Sequence, residues 1–309
     1  MKIAVILDPL GELKPEKDTS LAIMREAARR GHDLYVLEQA DIVLAEGRIK
    51  LRAQPFAFGD AGYVAGEKVG MAPEAFDAIL MRKDPPFDLE YLTSTWLLEL
   101  AEHQGARVFN SARALRDFNE KLSVARFPQF APPFLVSRNM ADLRGFLDAH
   151  GDIVVKPLDG MGGNSVFRLH RADHNIGVIL ETITHFERRT VMAQRFLPEI
   201  AQGDKRILLI DGKPVPYALA RIPRAGETRG NLAAGGIGVA QPLSARDREI
   251  AATVGAALQP QGLFLVGLDV IGDHLTEINV TSPTCMVEIA AQTDCDPAAL
   301  FMDALENQI

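Results

Sequence analysis

Two short apolar runs near the C-terminus carry carboxylates where a core would call for hydrocarbon. They are Gly267-Leu268-Asp269, set between Val266 and Val270, and Thr276-Glu277-Ile278-Asn279-Val280. A buried carboxylate is costly unless it is paired or ligating. Carboxylates set among these apolar residues therefore need a partner. Glu277 and Asn279 are two apart and share a face in a strand. Asp269 falls on the partner strand of a hairpin. A two-residue turn would set it opposite Thr276 and away from Glu277, whereas an odd turn such as Gly272-Asp273-His274 would bring it to their face. An Asp, a Glu and an Asn together offer hard oxygen ligands suited to Mg²⁺ bridging phosphates. The competing reading, a solvated polar face, sits poorly with the apolar neighbours.

A second pattern points to phosphate. Val154-Val155-Lys156-Pro157 runs directly into Leu158-Asp159-Gly160-Met161-Gly162-Gly163. Glycines let backbone N–H groups approach phosphate oxygens, and a lysine adds a point charge. This is neither a Walker A loop, since no Gly-Lys-Ser/Thr follows, nor a G-x-G-x-x-G fingerprint. Taken alone it is equally an ordinary glycine-rich turn. A third segment, Arg221 to Gly236, combines Arg221, Arg224 and Arg229 with Gly226, Gly230, Gly235 and Gly236. By composition it is a charged surface loop. Its company with the other two motifs favours a lid over phosphate or carboxylate groups.

Composition narrows the class. The chain has 309 residues, 47% hydrophobic and 24% charged, with a formal net charge of −8. That suits a globular protein of two or three lobes. The acidic balance argues against a nucleic-acid partner. The two cysteines, Cys285 and Cys295, exclude a disulfide framework and a four-cysteine zinc site, and fit a reducing, cytoplasmic compartment. No apolar run reaches the roughly 18 residues of a membrane span, and the start reads as a first strand, not a signal peptide.

Along the chain, strand 3–7, helix 20–30 ending at Gly31, and strand 34–37 predict a parallel crossover. Residues 44–70 read as short strands and loops. A strand over 76–81 and a helix over 91–104 follow, with Leu92, Trp96 and Leu100 in register for its core face. A further element starts at Val108–Phe109, a helix covers 115–125, and the proline-rich stretch 127–133 breaks it. The middle section reads as strand 134–136, helix 141–149, strands 152–157 and 165–169, helix 175–186 and strand 191–196. Asp211-Gly212 between 206–210 and 215–221 is a hairpin signal. Helix 245–258, a hairpin over 263–280 and a helical end complete the chain. His170 and His174 read as surface residues, and Cys285, with no histidine partner nearby in sequence, as an unreactive thiol.

Together these segments resemble the bacterial glutathione synthetases of the ATP-grasp superfamily. The resemblance is carried by Asn119-Glu120-Lys121, Lys156 through Gly163, Ala220 through Gly236, Gly267-Leu268-Asp269, Thr276 through Cys285, and Met81 through Asp88, and spans nearly the whole chain. It implies an α/β and α+β ATP-grasp fold: an N-terminal α/β substrate-binding domain (1–120), a central α+β lid lobe (121–196) and a C-terminal α+β lobe with the metal site and mobile loop (197–309). It implies ATP as co-substrate, held by Lys121 and Lys156, a lid at Gly160, Met161, Gly162 and Gly163, and an adenine-reading strand at Gln194, Arg195, Phe196 and Leu197. Asp269, Glu277 and Asn279 would bind two Mg²⁺ ions, with Mn²⁺ as a substitute. Arg206 and Arg221 would clamp the transferred phosphoryl group. Arg229 would shield the intermediate and place glycine. Arg82 and Thr281, Ser282, Pro283, Thr284 and Cys285 would bind γ-glutamylcysteine. The assembly implied is a homotetramer or homodimer. Two positions depart from the pattern: Ile237 stands where a basic residue is expected, and Asn164 replaces a smaller one. The competing functions are another ATP-grasp carboxylate–amine ligase with a different dipeptide or acceptor, and a nucleotide binder without turnover.

Overall fold

The computed structural model describes residues 1–309 apart from 60, 61, 225, 228, 229, 231, 233 and 234. The N-terminal part alternates strand and helix: β1 (Lys2–Ile6), α1 (Thr19–Arg29) and β2 (Asp33–Leu37). Asp18 caps α1 by accepting from the Leu21 N–H, and Gly31, at φ +79°, ends it. The His32 N–H donates to the Ala27 carbonyl and the Gly31 N–H to that of Ala28, so the expected glycine stop is a Schellman motif. β1 pairs in parallel with β2, and also with β7 (Ala78–Met81).

Between β2 and β7 lie β3 (Ile42–Ala45), β4 (Arg48–Gly59), β5 (Gly62–Ala65) and β6 (Val69–Met71), and β2, β3, β5 and β6 each pair with β4 antiparallel. The expectation of only short strands here fails, because β4 is twelve residues long. Its burial alternates, with Ile49, Leu51 and Ala53 facing inward and Arg48, Lys50 and Arg52 outward.

α2 (Leu89–His103), β8 (Val108–Phe109) and α3 (Ala112–Asp117) follow. α2 buries Tyr91, Ser94, Thr95, Leu98 and Ala101. The face read from sequence as core points outward instead: Trp96 is 47% exposed and Leu100 39%. The helix is apolar on both faces, so spacing alone did not choose between them. The helix expected over 115–125 is also two pieces. The Asn119 side chain accepts from the Lys121 and Leu122 N–H groups and starts a separate 3₁₀ turn over Leu122–Arg126.

The second sheet is built from β9 (Phe134–Ser137), β10 (Asp152–Pro157), β11 (Phe167–His170) and β12 (Val191–Arg195), with α4 (Met140–His150) and α5 (Ile176–Ile183) packed on it. Its order is β11-β10-β12-β9, antiparallel throughout. α5 ends three residues short of the expected 186. This lobe has its own small core, from Leu143, Leu147, Ile153, Val155, Leu169 and Leu180 among others.

The third sheet runs β15-β14-β13-β16-β17: β13 (Asp204–Ile210), β14 (Lys213–Ile222), β15 (Ile237–Pro242), β16 (Leu265–Ile271) and β17 (His274–Asn279). The Asp211-Gly212 hairpin is present, with both residues at positive φ, 47° and 74°. α6 (Ala245–Leu258) crosses that turn so closely that a Cβ on Gly255 would lie 2.1 Å from the Gly212 carbonyl oxygen. α7 (Met286–Gln292) and α8 (Pro297–Glu306) return to the N-terminal lobe. Phe301, Met302 and Leu305 of α8 share one core with Ile3, Val5 and Leu21. The first and third sheets are thereby joined through hydrocarbon, and the second touches their common core through Met192 of β12.

Candidate active site

The third sheet builds a charged ladder on one face. Asp204 and Arg206 are two apart on β13 and so point the same way. Antiparallel register sets Asp204 opposite Arg221 on β14 and Arg206 opposite Asp269 on β16. Asp269 stands in turn opposite Glu277 on β17. The β16–β17 turn has only two residues, Gly272 and Asp273, which by itself would turn Asp269 away from Glu277. A bulge at Thr276 shifts the register by one between Asp269 and Val270 and restores the shared face. The odd count needed to join the two carboxylates thus lies in the strand and not in the turn.

The contacts follow from this register. Arg206 grips Asp269 with two hydrogen bonds, from Nε at 2.5 Å and from Nη2 at 3.0 Å. Arg221 reaches Asp269 at 3.0 Å and Asp204 at 2.5 Å. Burial disfavours the charged form of Asp269, but the two guanidiniums outweigh it and hold the carboxyl below the ordinary range. At Asp204 burial wins over Arg221 and pushes the carboxyl up. One buried oxygen of Asp204, Oδ1, has no hydrogen-bond partner among the described residues. Gly267 is glycine for space: a Cβ there would come within 2.8 Å of the Arg206 Cδ and 2.9 Å of the Pro283 Cβ.

The second sheet supplies lysine from across the cleft. Lys156, buried on β10, places Nζ 2.9 Å from Glu277 Oε1. Lys121 Nζ lies 3.8 Å from Glu277 Oε2 and donates to the Gly160 carbonyl at 2.7 Å. Burial opposes ionisation of Glu277, yet Lys121 and Lys156 keep its carboxyl below the ordinary value. The Asn279 amide nitrogen donates to the Gly267 carbonyl, which turns its oxygen free for a ligand.

Between the sheets lies a cavity of about 320 Å³. It is lined by Lys121, Lys156, Gly160 to Gly163, Gln194 to Leu197, Arg206, Arg221, Asp269, Glu277, Asn279 and Thr281 to Cys285. Nearly every site residue expected from sequence therefore meets in one place. Arg82 does not line it. Its guanidinium is buried behind Pro283, donating to the Ser20 hydroxyl at 3.0 Å and the Pro283 carbonyl at 2.9 Å. Arg229 lies outside the described residues. Ile237 opens β15 and is 61% exposed. His170 and His174 are exposed. Cys285 is buried, with its thiol pushed up by burial. Among the described residues no three His, Cys, Asp or Glu side chains form a metal cluster. Two carboxylates and an amide oxygen leave a cation's shell incomplete, which suits an ion whose remaining ligands are phosphate oxygens and water.

Sequence reasoning passed over Glu120. Its Oε1 accepts from the Val280 N–H (3.0 Å), the Thr281 N–H (3.1 Å) and the Thr281 hydroxyl (2.8 Å). Its backbone carbonyl accepts from Ile278. Glu120 ties the chain next to Lys121 to the segment after β17. Asp204 was also missed, although its place two residues before Arg206 on one strand was a usable signal.

Comparison with known proteins agrees with this geometry. Residues 1–116 match the family described as "Prokaryotic glutathione synthetase, N-terminal domain", and residues 120–294 match "Prokaryotic glutathione synthetase, ATP-grasp domain". The chain belongs to the prokaryotic glutathione synthetase family. Among its curated relatives, the glutathione synthetase of Nitrosomonas europaea is 59% identical, covering 100% of this chain and 98% of that one. That of Bordetella pertussis is 55% identical over 99% of each. Solved structures at lower identity share the ATP-grasp fold. D-cycloserine synthetase DcsG matches 99% of both chains with a TM-score of 0.70 at 16% identity. D-alanyl-alanine synthetase A from Vibrio cholerae covers 99% of this chain and 97% of its own, with a TM-score of 0.59 at 12% identity. Membership in this ATP-grasp family goes with use of ATP and a divalent metal. No helix among the described residues is long and apolar enough to cross a membrane.

Proposed function

We propose that this chain makes glutathione, joining γ-L-glutamyl-L-cysteine to glycine with Mg²⁺-ATP. The observation that carries the reading is the ladder Arg221–Asp204 and Arg206–Asp269–Glu277 facing Lys121 and Lys156 across one cavity. A carboxylate is a poor electrophile at neutral pH. Transfer of the ATP γ-phosphoryl group to the cysteinyl carboxylate gives an acyl phosphate. The glycine amine adds to its carbonyl, and phosphate leaves. These steps need neutralised charge and fixed geometry more than a protein nucleophile. Lys121 and Lys156 would hold the ATP phosphates under Gly160 to Gly163, and 194–197 would read the adenine. Asp269, Glu277 and Asn279 fit two Mg²⁺ ions, with Mn²⁺ as a substitute, and the metal would neutralise the phosphate oxygens. Arg206 and Arg221 would hold the phosphoryl group in flight. Thr281 to Cys285 would hold the dipeptide, with Arg82 fixing that segment through Pro283. Arg229 would guard the acyl phosphate from water.

In this reading residues 1–120 take the dipeptide, 121–196 close as the lid and 197–309 carry the metal ligands. The assembly proposed is a homotetramer or homodimer and the compartment the cytoplasm, with the two free thiols in support.

The test is ADP release with Mg²⁺-ATP, γ-glutamylcysteine and glycine, omitting one at a time. Release that requires all three, with glutathione formed, is expected. Binding of ATP without release would leave a nucleotide binder, and release with another substrate pair would leave a different ligase. Glu120→Ala is expected to raise KM for the dipeptide about tenfold with a smaller change in kcat. It also strands two buried N–H groups, at about 1–3 kcal/mol each at most. An unchanged KM would remove Glu120 from the substrate segment.

A further inference from the structure

Five carboxylates line the cavity among the described residues: Asp84, Glu120, Asp204, Asp269 and Glu277. Four are matched. Glu120 holds backbone N–H groups, Asp204 holds Arg221, Asp269 holds both arginines and Glu277 holds the lysines. Asp84, from the loop after β7, is the exception. Its carboxylate has the Ser282 hydroxyl as a neighbour on the same wall, and no ion pair reaches it among the described residues.

The nearby cations are engaged elsewhere. Lys83 pairs with Asp8 at 2.6 Å and donates to the Asp84 carbonyl oxygen at 2.9 Å. Arg82 is felt through space, but its N–H groups point at Ser20 and Pro283. Asp8 and Asp18 add negative charge on the same side. The backbone of Asp84 is fixed, its N–H donating to Asp8 Oδ2 at 2.9 Å. A rigidly held, partly buried anion facing a ligand cavity without a cation is a receptor for one.

The next step rests on the ligase reading above. γ-Glutamylcysteine carries one ammonium, on the α-carbon of its glutamyl residue, and its other charges are carboxylates. The glycine amine must reach the acyl phosphate beside Arg206 and Arg221, and must be unprotonated to attack it. We propose that Asp84 binds the free α-ammonium of the γ-glutamyl group and so selects dipeptides that carry it. Burial pushes the Asp84 carboxyl up in the absence of ligand, Ser282 and Arg82 pulling the other way. An arriving ammonium would stabilise the anion.

The experiment compares γ-glutamylcysteine with glutaryl-cysteine, which differs only in lacking that amine. Both are run with glycine and Mg²⁺-ATP, reading ADP release and product. The wild type is expected to favour the amino substrate by about 10²-fold in kcat/KM, since a site built for a polar group rejects the analogue without it. In Asp84→Asn that ratio should fall to within about threefold of one, and Asp84→Glu should recover part of it. A ratio near one in the wild type, or a ratio unchanged in Asp84→Asn while both rates fall together, would overturn the assignment. The wild-type comparison stands even where a variant folds poorly. A wild type that ligates neither substrate would instead overturn the ligase reading itself.

Discussion

Exchanging Glu277 for Gln is expected to lower ligation about 10²–10³-fold, the scale on which one preorganised electrostatic group acts, and to raise the Mg²⁺ needed for half-maximal turnover. The reason lies in the partners Glu277 has before substrate arrives. Lys156 sits on it at 2.9 Å and Lys121 at 3.8 Å. The cations suited to phosphate are thus held on the carboxylate suited to metal. Arrival of metal–ATP would exchange partners, carboxylate to metal and lysine to phosphate, and would leave neither Glu277 nor its two lysines uncompensated. Glutamine keeps the shape and removes the charge. Two lysines then face the cavity without an ion-pair partner among the described residues, so ATP measured in EDTA should bind at least as tightly as to the wild type while metal-dependent turnover collapses. That split separates loss of a ligand from general damage. Ordinary Mg²⁺ dependence in Glu277→Gln would remove Glu277 from the metal site.

How far the sequence could lead is clearest at this pair. Apolar strands bearing Asp269, Glu277 and Asn279 pointed to oxygen ligands in need of a partner, and Lys156 before a glycine-rich loop pointed to phosphate. What the letters did not contain was the bulge at Thr276 that turns the two carboxylates to one face, because a two-residue turn and an ideal ladder would have separated them. Glu120 was hidden for a related reason. Its partners, Val280 and Thr281, are backbone and hydroxyl groups 160 and 161 residues away, and no local pattern encodes them. The parallel β1–α1–β2 unit, the Asp211-Gly212 hairpin and α6 were legible because each is fixed by residues within one turn of itself. β4 has a clear two-residue alternation from Arg48 to Ala53, but the five glycines from Gly47 to Gly70 made the segment read as short strands and loops. α2 has apolar residues all round, so only packing against its neighbours decided that Tyr91 and Leu98 go in and Trp96 stays out.

Asp269→Asn should differ from Glu277→Gln by weakening the fold as well as the activity. The Asp269 side chain is 5% exposed, and it faces Arg206 at 7% and Arg221 at 4%. It is the centre of a buried triad, hydrogen-bonded twice by Arg206 and approached by Arg221 at 3.0 Å. An asparagine there presents an N–H toward guanidinium donors and leaves Arg221 with Asp204 and Arg206 with no ion-pair partner among the described residues. Removing one partner from a buried pair costs about 3–5 kcal/mol, far more than the pair contributes relative to hydrocarbon. Glu277, at 21% exposed, is closer to water and its lysines can turn toward the cleft, so its loss should be much gentler on stability. Urea unfolding of the two variants beside the wild type tests this ordering directly. ATP should restore part of the Asp269→Asn deficit, because its phosphates would place negative charge against the same two arginines. Equal midpoints for the two variants would mean that Arg206 and Arg221 find other neutralising partners, and the triad would then serve chemistry without holding the sheet.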